Sequence, residues 1–235
     1  MKTTKTRALV LRRTNFGEAD RILQLLTPEG RRSVMAKGVR KEKSKLAGGI
    51  ELFAICEVVL GEGKGDLGIL TSARLVHYYN NIVKDYDRLQ FGYFVIKQVT
   101  RASENVDEPE WYDMLSEVYM GLDATSIALD LTQTWFYLKH AGLLGHQLNL
   151  EVDTNGEKLT LQRTYRYDVG EQGLREVPNG DITADHIKLL RLISTRSLKI
   201  LAQVGGVNAI RDNDDVDYEV AEGRKGPQAV KVKKL

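Results

Sequence analysis

Near residue 82 the spacing of apolar residues changes from two to three and four, and no single layer of secondary structure satisfies both periods. Up to that point the chain reads as short β-segments rich in branched residues and separated by turn chemistry. Beyond it, the apolar stripes are those of helices. The chain is therefore expected to be α+β: a sheet domain over residues 1–80, then a helical domain over 81–210.

The β half divides into five candidate strands. Thr6–Arg13 is the first, and Arg21–Thr27 and Arg32–Ala36 are joined by Pro28-Glu29-Gly30, where Pro fixes φ and Gly permits a positive φ. Glu51–Gly61 and Gly68–Val76 flank a turn carrying Gly61, Gly63 and Gly65. Both faces of the first and fourth segments are partly apolar, which suits a small closed sheet better than a half-exposed one. Five strands in so short a stretch predict a barrel of the oligonucleotide-binding (OB) type.

In the helical half, Leu89, Tyr93 and Ile96 mark a helix from about Asp85 to Ala102. A second stripe, Leu115, Val118, Tyr119 and Leu122, is entered near Pro109 and ends at Gly121. A third, Ile127, Leu131, Trp135 and Leu138, stops at Leu144-Gly145, and a fourth runs from Ile187 through Ile193 and Ile200 to Val204. Such stripes belong to a bundle core. Residues 150–180 break the pattern: Asn155-Gly156 signals a hairpin, and Leu159–Tyr167 alternates as a strand does, so a small β insertion is expected on the bundle. The tail from Arg211 to Leu235 is acidic, then basic, with little to bury, and is expected to be disordered.

The most unusual electrostatics lie between the third and fourth strands. Residues 31–45 contain Arg31, Arg32, Lys37, Arg40, Lys41, Lys43 and Lys45 against the single acid Glu42, net +6, whereas the whole chain is only +2. Residues 1–80 hold 15 Lys/Arg and 8 Asp/Glu, net +7, so the remainder is acidic. A local cationic excess on a nearly neutral chain points to a polyanion, because cations that neutralise phosphates release condensed counterions. The competing reading is a solvated, flexible loop. Arg7, Arg12, Arg13 and Arg21 could extend the surface. Aromatic platforms are sparse, with Phe16 and Phe53 the only two before Tyr78 and Phe53 assigned to the core, so phosphate contacts with little sequence preference are expected.

Several function classes find no support in the residues. No phosphate-cradling loop, dinucleotide fingerprint or nucleophile elbow is present. His140 and His146 are six apart, a spacing that does not place a metal pair on one helix face, and Glu18 and Asp20 have no partner base. The single cysteine, Cys56, lies in an apolar run and excludes both a disulfide framework and a cysteine-rich metal site. No apolar run is long enough for a membrane helix, and the N-terminus leads into a strand pattern rather than a signal peptide, so no membrane association and a cytoplasmic location are expected.

The N-terminal third resembles the bacterial recombination mediator family RecO. The likeness rests on Ala8–Leu11, then Asn15-Phe16-Gly17-Glu18-Ala19-Asp20-Arg21-Ile22-Leu23, then Leu26-Thr27-Pro28-Glu29-Gly30, then Ala36-Lys37-Gly38-Val39-Arg40-Lys41 and Lys43-Ser44-Lys45-Leu46 with Gly48-Gly49. Beyond residue 80 it is a likeness of architecture and length. The resemblance implies an OB barrel, a helical second domain and a non-enzymatic role in recombinational repair. It further implies binding of single- and double-stranded DNA, strand annealing, cooperation with RecR, and help in loading RecA onto DNA coated by single-strand-binding protein, in the nucleoid. Many members carry a four-cysteine zinc site in the insertion; the matching positions here, Val152, Asn155, Glu176 and Asn179, are not thiols, so the insertion is expected to fold without zinc and the protein to need no cofactor. Two alternatives remain open on the residues alone: an RNA-binding OB-fold protein, and an adaptor whose helical half binds other proteins.

Overall fold

The structure is a computed structural model that describes residues 2–104 and 108–204 and, for the backbone alone, 216–223 and 226–234. Its chain forms two compact units, Met1–Asp123 and Ala124–Leu235.

The first unit is built on a closed barrel. Its strands are β1 (Thr3–Phe16), β2 (Asp20–Thr27), β3 (Gly30–Ala36), β4 (Ala54–Lys64) and β5 (Leu67–Tyr78), in the order β1-β2-β3-β5-β4. All neighbours are antiparallel except β3 and β5, whose parallel pairing (Val34 opposite Gly68) lets the sheet close. The first strand is long enough to serve twice. Thr3–Leu9 pairs with β4 and Leu9–Phe16 with β2, and a bulge between Val10 and Arg12 turns the strand from one neighbour to the other. Inside the barrel, alternate residues Ala8, Val10, Leu23, Leu25, Val34, Ala36, Cys56, Val58 and Leu70 form one core. Burial pushes the Cys56 thiol up to about 11, so it packs as a small neutral hydrophobe.

Leu9 and Leu26 face each other across β1 and β2 on the outer surface, yet both are buried. Two helices, α1 (Tyr86–Ala102) and α2 (Glu110–Asp123), contact that face. This explains why the first strand is apolar on both sides. The Asp85 carboxylate caps α1 by accepting from the Asp87 and Arg88 amides at 3.0 and 3.1 Å. Arg88, itself buried, donates to the Gly121 and Leu122 carbonyls at 3.3 and 2.9 Å and so satisfies the end of α2. The Asn81 amide reaches the Asp123 carboxylate at 2.7 Å. Residue 80 thus ends the barrel, while the compact unit that contains it runs on to Asp123.

In the second unit, α3 (Leu129–Leu143) holds the end of α4 (Ala184–Thr195): the Trp135 indole donates to Arg196 O at 2.8 Å and the Lys139 ammonium to Ser194 O at 2.7 Å. The single helix expected from Ile187 to Val204 is divided. Ser197 starts a separate turn, α5 (Leu198–Leu201), by accepting from the Ile200 amide, a local bond that competes with helix continuation. The β insertion is present but smaller than the alternation of Leu159–Tyr167 suggests. Its two strands, β6 (Tyr165–Asp168) and β7 (Gly173–Glu176), pair with each other, single bridges join Val152 to Lys158 and Tyr165 to Ile182, and Leu161 lies out in solvent. Tyr165 and Leu174 join Leu150 and Ile187 in a small core. The tail, expected to be disordered, contains the antiparallel pair β8 (Val216–Gly223) and β9 (Gly226–Lys234); its remaining residues lie outside those described.

Candidate nucleic-acid interface

Beyond Leu9, β1 pairs with β2, which on its other side pairs with β3, and the tip of the β1–β2 hairpin is turned by Gly17, at φ +55°, which a Cβ would strain. The basic loop leaves β3 at Ala36 and is fastened to that tip. Asp20 accepts from the Gly38 amide at 2.6 Å, the Arg40 amide donates to Ala19 O at 2.9 Å, and the Arg40 guanidinium donates to Gly17 O at 3.1 Å. Val39 is driven into the barrel core between these bonds. Further on, the Lys41 and Ser44 amides donate to Gly38 O and Lys41 O at 3.1 and 3.0 Å, and Leu46 and Ala47 return to pack on the core.

The loop is therefore an arch whose backbone is tethered to the hairpin while its charged side chains are solvated. Lys37, Arg40, Lys41, Lys43 and Lys45 all lie exposed on it, together with Glu42. Among the described residues none of those five cations has a carboxylate within ion-pair distance, unlike Lys5, Arg13 and Arg74 elsewhere on the barrel. Holding the backbone while leaving the cations unpaired lowers the entropy lost when an anion binds.

The other two expected site residues do not join them. Arg31, only 17% exposed, lies 3.1 Å from Glu104 and donates to Thr100 O at 3.4 Å, so it fastens β3 to α1. Arg32 is at the opposite end of β3 from the loop, donating to Arg31 O and Glu29 O at 2.7 and 2.9 Å. It lines a barrel mouth of about 570 Å³ with Thr4, Thr6, Glu29 and Leu60. Burial works against ionisation of Glu29 there, but hydrogen bonds from Thr6 and Thr27 and the Arg32 charge together hold its carboxyl below the ordinary value.

Of the four arginines considered as extensions, Arg13 is taken by Glu51 at 2.9 Å and Arg21 by the Asn15 side chain at 3.1 Å, whereas Arg12 is exposed on the hairpin and Arg7 is exposed on the β4 side of β1, opposite Glu57. Asp20 is an anchor rather than a candidate base. Phe53 is buried with φ +54°, its ring edge-on to Tyr93 and Tyr119. Phe16, by contrast, is 52% exposed at the hairpin tip. Its place beside Gly17, between two strand patterns, was the available signal.

A zinc site does not fit the insertion. Glu176 is engaged by Arg163, Val152 is in a bridge with Lys158, and the one cysteine lies in the barrel. Among the described residues no group of three or more His, Cys, Asp or Glu could hold a metal ion. His146 instead faces the Gln172 side chain at 3.2 Å. No helix among the described residues is long and apolar enough to cross a membrane.

Comparison with known proteins agrees with the geometry. A family model described as "Recombination protein O N terminal" matches residues 1–79, the extent of the barrel. The DNA repair protein RecO of Dehalococcoides mccartyi strain 195 is 31% identical over 202 residues, covering 83% of this chain and 79% of the relative. That of strain CBDB1 is 30% identical over 209 residues, covering 85% and 81%. The DNA repair protein RecO of Roseiflexus sp. strain RS-1 is 33% identical over 147 residues, or 62% of this chain and 51% of the relative.

Proposed function

The chain belongs to the RecO family, whose relatives are DNA repair proteins, and from that membership we propose that it is a DNA-binding recombination mediator acting without covalent chemistry. The observation that carries the reading is the tethered arch of Lys37, Arg40, Lys41, Lys43 and Lys45, which has no carboxylate within ion-pair distance among the described residues and is held on the barrel by Asp20 and Gly17. Its cations meet the phosphates of single- or double-stranded DNA. By lowering the repulsion between two strands held at one surface, they promote annealing. Ammonium and guanidinium groups dominate the site; of its two carboxylates Asp20 is occupied by a backbone amide and Glu42 stands alone on the arch, so the site suits binding and not bond cleavage.

Family membership supports the wider setting: cooperation with RecR, work on DNA coated by single-strand-binding protein, indirect assistance to RecA, and a place in the cytoplasm at the nucleoid. The deciding experiment measures affinity for a single-stranded oligonucleotide against salt, with annealing of complementary strands as a second readout. Wild type should show a steep slope in the log-log plot. Neutralising Lys37, Arg40 and Lys41 should flatten it by roughly 0.7 for each phosphate that is no longer neutralised, and should slow annealing. An unchanged slope removes the arch from the interface, and tighter binding to RNA of the same sequence redirects the reading to an RNA-binding barrel.

A further inference from the structure

A single exposed aromatic is ordinary on a protein surface, so the exposure of Phe16 says nothing by itself. Its placement does. Side chains alternate along β1, which sets Phe16 on the same face as Thr14 and Arg12, and all three are exposed. Across the sheet that face continues through Ile22, Met35 and Ile69, opposed in register and each half-buried. One residue on, Gly17 O holds the Arg40 guanidinium, and Asp20, opposite Phe16 in register, holds the Gly38 amide.

The ring therefore stands at the junction of a shallow apolar face and the cationic arch. It contributes to no core: it is absent from the barrel cluster, and among the described residues it makes no ring pair. Its backbone is fixed by the hairpin, and the tip is buttressed by the arch, so little ordering entropy opposes its use. Stacking on an aromatic ring needs an unpaired base, because every base has a π-face but a duplex keeps those faces covered.

Resting on the DNA-binding reading above, we infer that Phe16 is a base-stacking platform that gives this interface its affinity for single-stranded over double-stranded nucleic acid. The arch takes the phosphates beside the stacked nucleotide; the ring takes the base. The sequence alone suggested phosphate contacts only, and the hairpin tip adds an interaction that salt does not screen.

The test compares a thymidine homopolymer with an abasic oligomer of equal length, which carries the same phosphates without bases. Wild type should prefer the thymidine strand, and Phe16→Ala should weaken binding to it by about 5-fold to 100-fold while leaving the abasic strand, duplex and salt slope unchanged. Phe16→Tyr should keep the preference, and Phe16→Leu should lose most of it, which separates stacking from general apolar contact. If Phe16→Ala retains the preference, or wild type binds both strands equally, the platform is refuted while the phosphate-binding reading stands. If wild type binds neither strand, both readings fall together.

Discussion

The Arg31 guanidinium lies 3.1 Å from the Glu104 carboxylate, so a residue belonging by sequence to the basic run belongs by structure to the contact between β3 and α1. Neutralising Arg31 should thus act on folding and not on DNA. The Arg31→Ala variant should lower stability by about 0.5–1.5 kcal/mol, since it removes the ion pair to the exposed Glu104 and one of the donors to Thr100 O, which keeps the Ser103 hydroxyl. Lys37→Ala and Lys41→Ala should do the reverse, with stability within about 0.5 kcal/mol of wild type and a flatter salt dependence of DNA affinity. Thermal unfolding alongside binding against salt separates the two classes. Equal slopes for Lys41→Ala and wild type would contradict the assignment of the arch.

Asp20 supplies a prediction in which simple electrostatics and tethering have opposite signs. Removing an acid beside a phosphate-binding loop should strengthen binding if charge alone mattered. But Asp20 accepts from the Gly38 amide at 2.6 Å and holds the arch against the hairpin. Tethering wins if Asp20→Ala weakens DNA binding despite the added positive charge, and it should also cost about 1.5–3 kcal/mol of stability. Asp20→Asn keeps an acceptor oxygen and should fall between. Tighter binding by Asp20→Ala would show that the arch needs no anchor.

The features legible in the sequence are those set by local chemistry. Pro28-Glu29-Gly30 turns β2 into β3, Asp85 caps α1, and the arch lies where the charge run lies. What escaped reading depended on distant partners. Nothing near Arg31 names Thr100, 69 residues away, as its acceptor. Leu9 and Leu26 make their strands apolar on the outer face as well, but whether that face meets solvent or helices is decided by α1 and α2. The break at Ser197 was hidden because its apolar stripe continues across the gap in helical register. Phe16 was visible as an aromatic, but its role needs the arch that the fold brings to it.

Gly92 on α1 has its place because of Phe53. A Cβ there would lie 2.7 Å from Phe53 Cε1, and the ring cannot easily retreat: its backbone is held at φ +54° and its carbonyl accepts from the Tyr79 amide at 3.0 Å. Gly92→Ala gains about 1 kcal/mol in helix propensity and loses about 1–3 kcal/mol to overpacking, so the net change should be destabilising. Trimming the ring with Phe53→Leu should make the two substitutions less than additive. Denaturant unfolding of the four-member cycle measures this, and strict additivity would mean that the two groups do not press on each other.

At the barrel mouth the Glu29 carboxyl is held below its ordinary value of 4.5. A depressed folded value means that the stabilisation is fully present above pH 4.5 and is lost as pH falls through the folded value. Stability should therefore decline on the acid side of 4.5, and Glu29→Gln should flatten that decline while changing little at neutral pH. Chemical unfolding across that window reads it directly. An identical acid limb in the variant would assign the loss to other carboxylates.

The insertion should be indifferent to chelators, because its geometry is held by carboxylates and a tyrosine rather than by thiolates. Asp153, buried, accepts from the Asn155 and Glu157 amides at 2.8 and 2.9 Å and so shapes the turn where a zinc ribbon would use its metal. The Tyr165 hydroxyl accepts from the Thr160 amide at 2.9 Å, and Arg163 pairs with both Glu157 and Glu176. The ion pairs are exposed and worth about 0.2–1 kcal/mol each, so Arg163→Ala should be tolerated. Asp153→Ala strips two amides of their acceptor at a buried turn and should cost about 1–3 kcal/mol. Adding excess EDTA to wild type should leave the melting temperature and the protease resistance of residues 150–180 unchanged. A metal-held insertion would instead open on chelation, since such binding energy is itself folding energy. A chelator-induced fall in melting temperature would therefore show that the carboxylates and Tyr165 are insufficient.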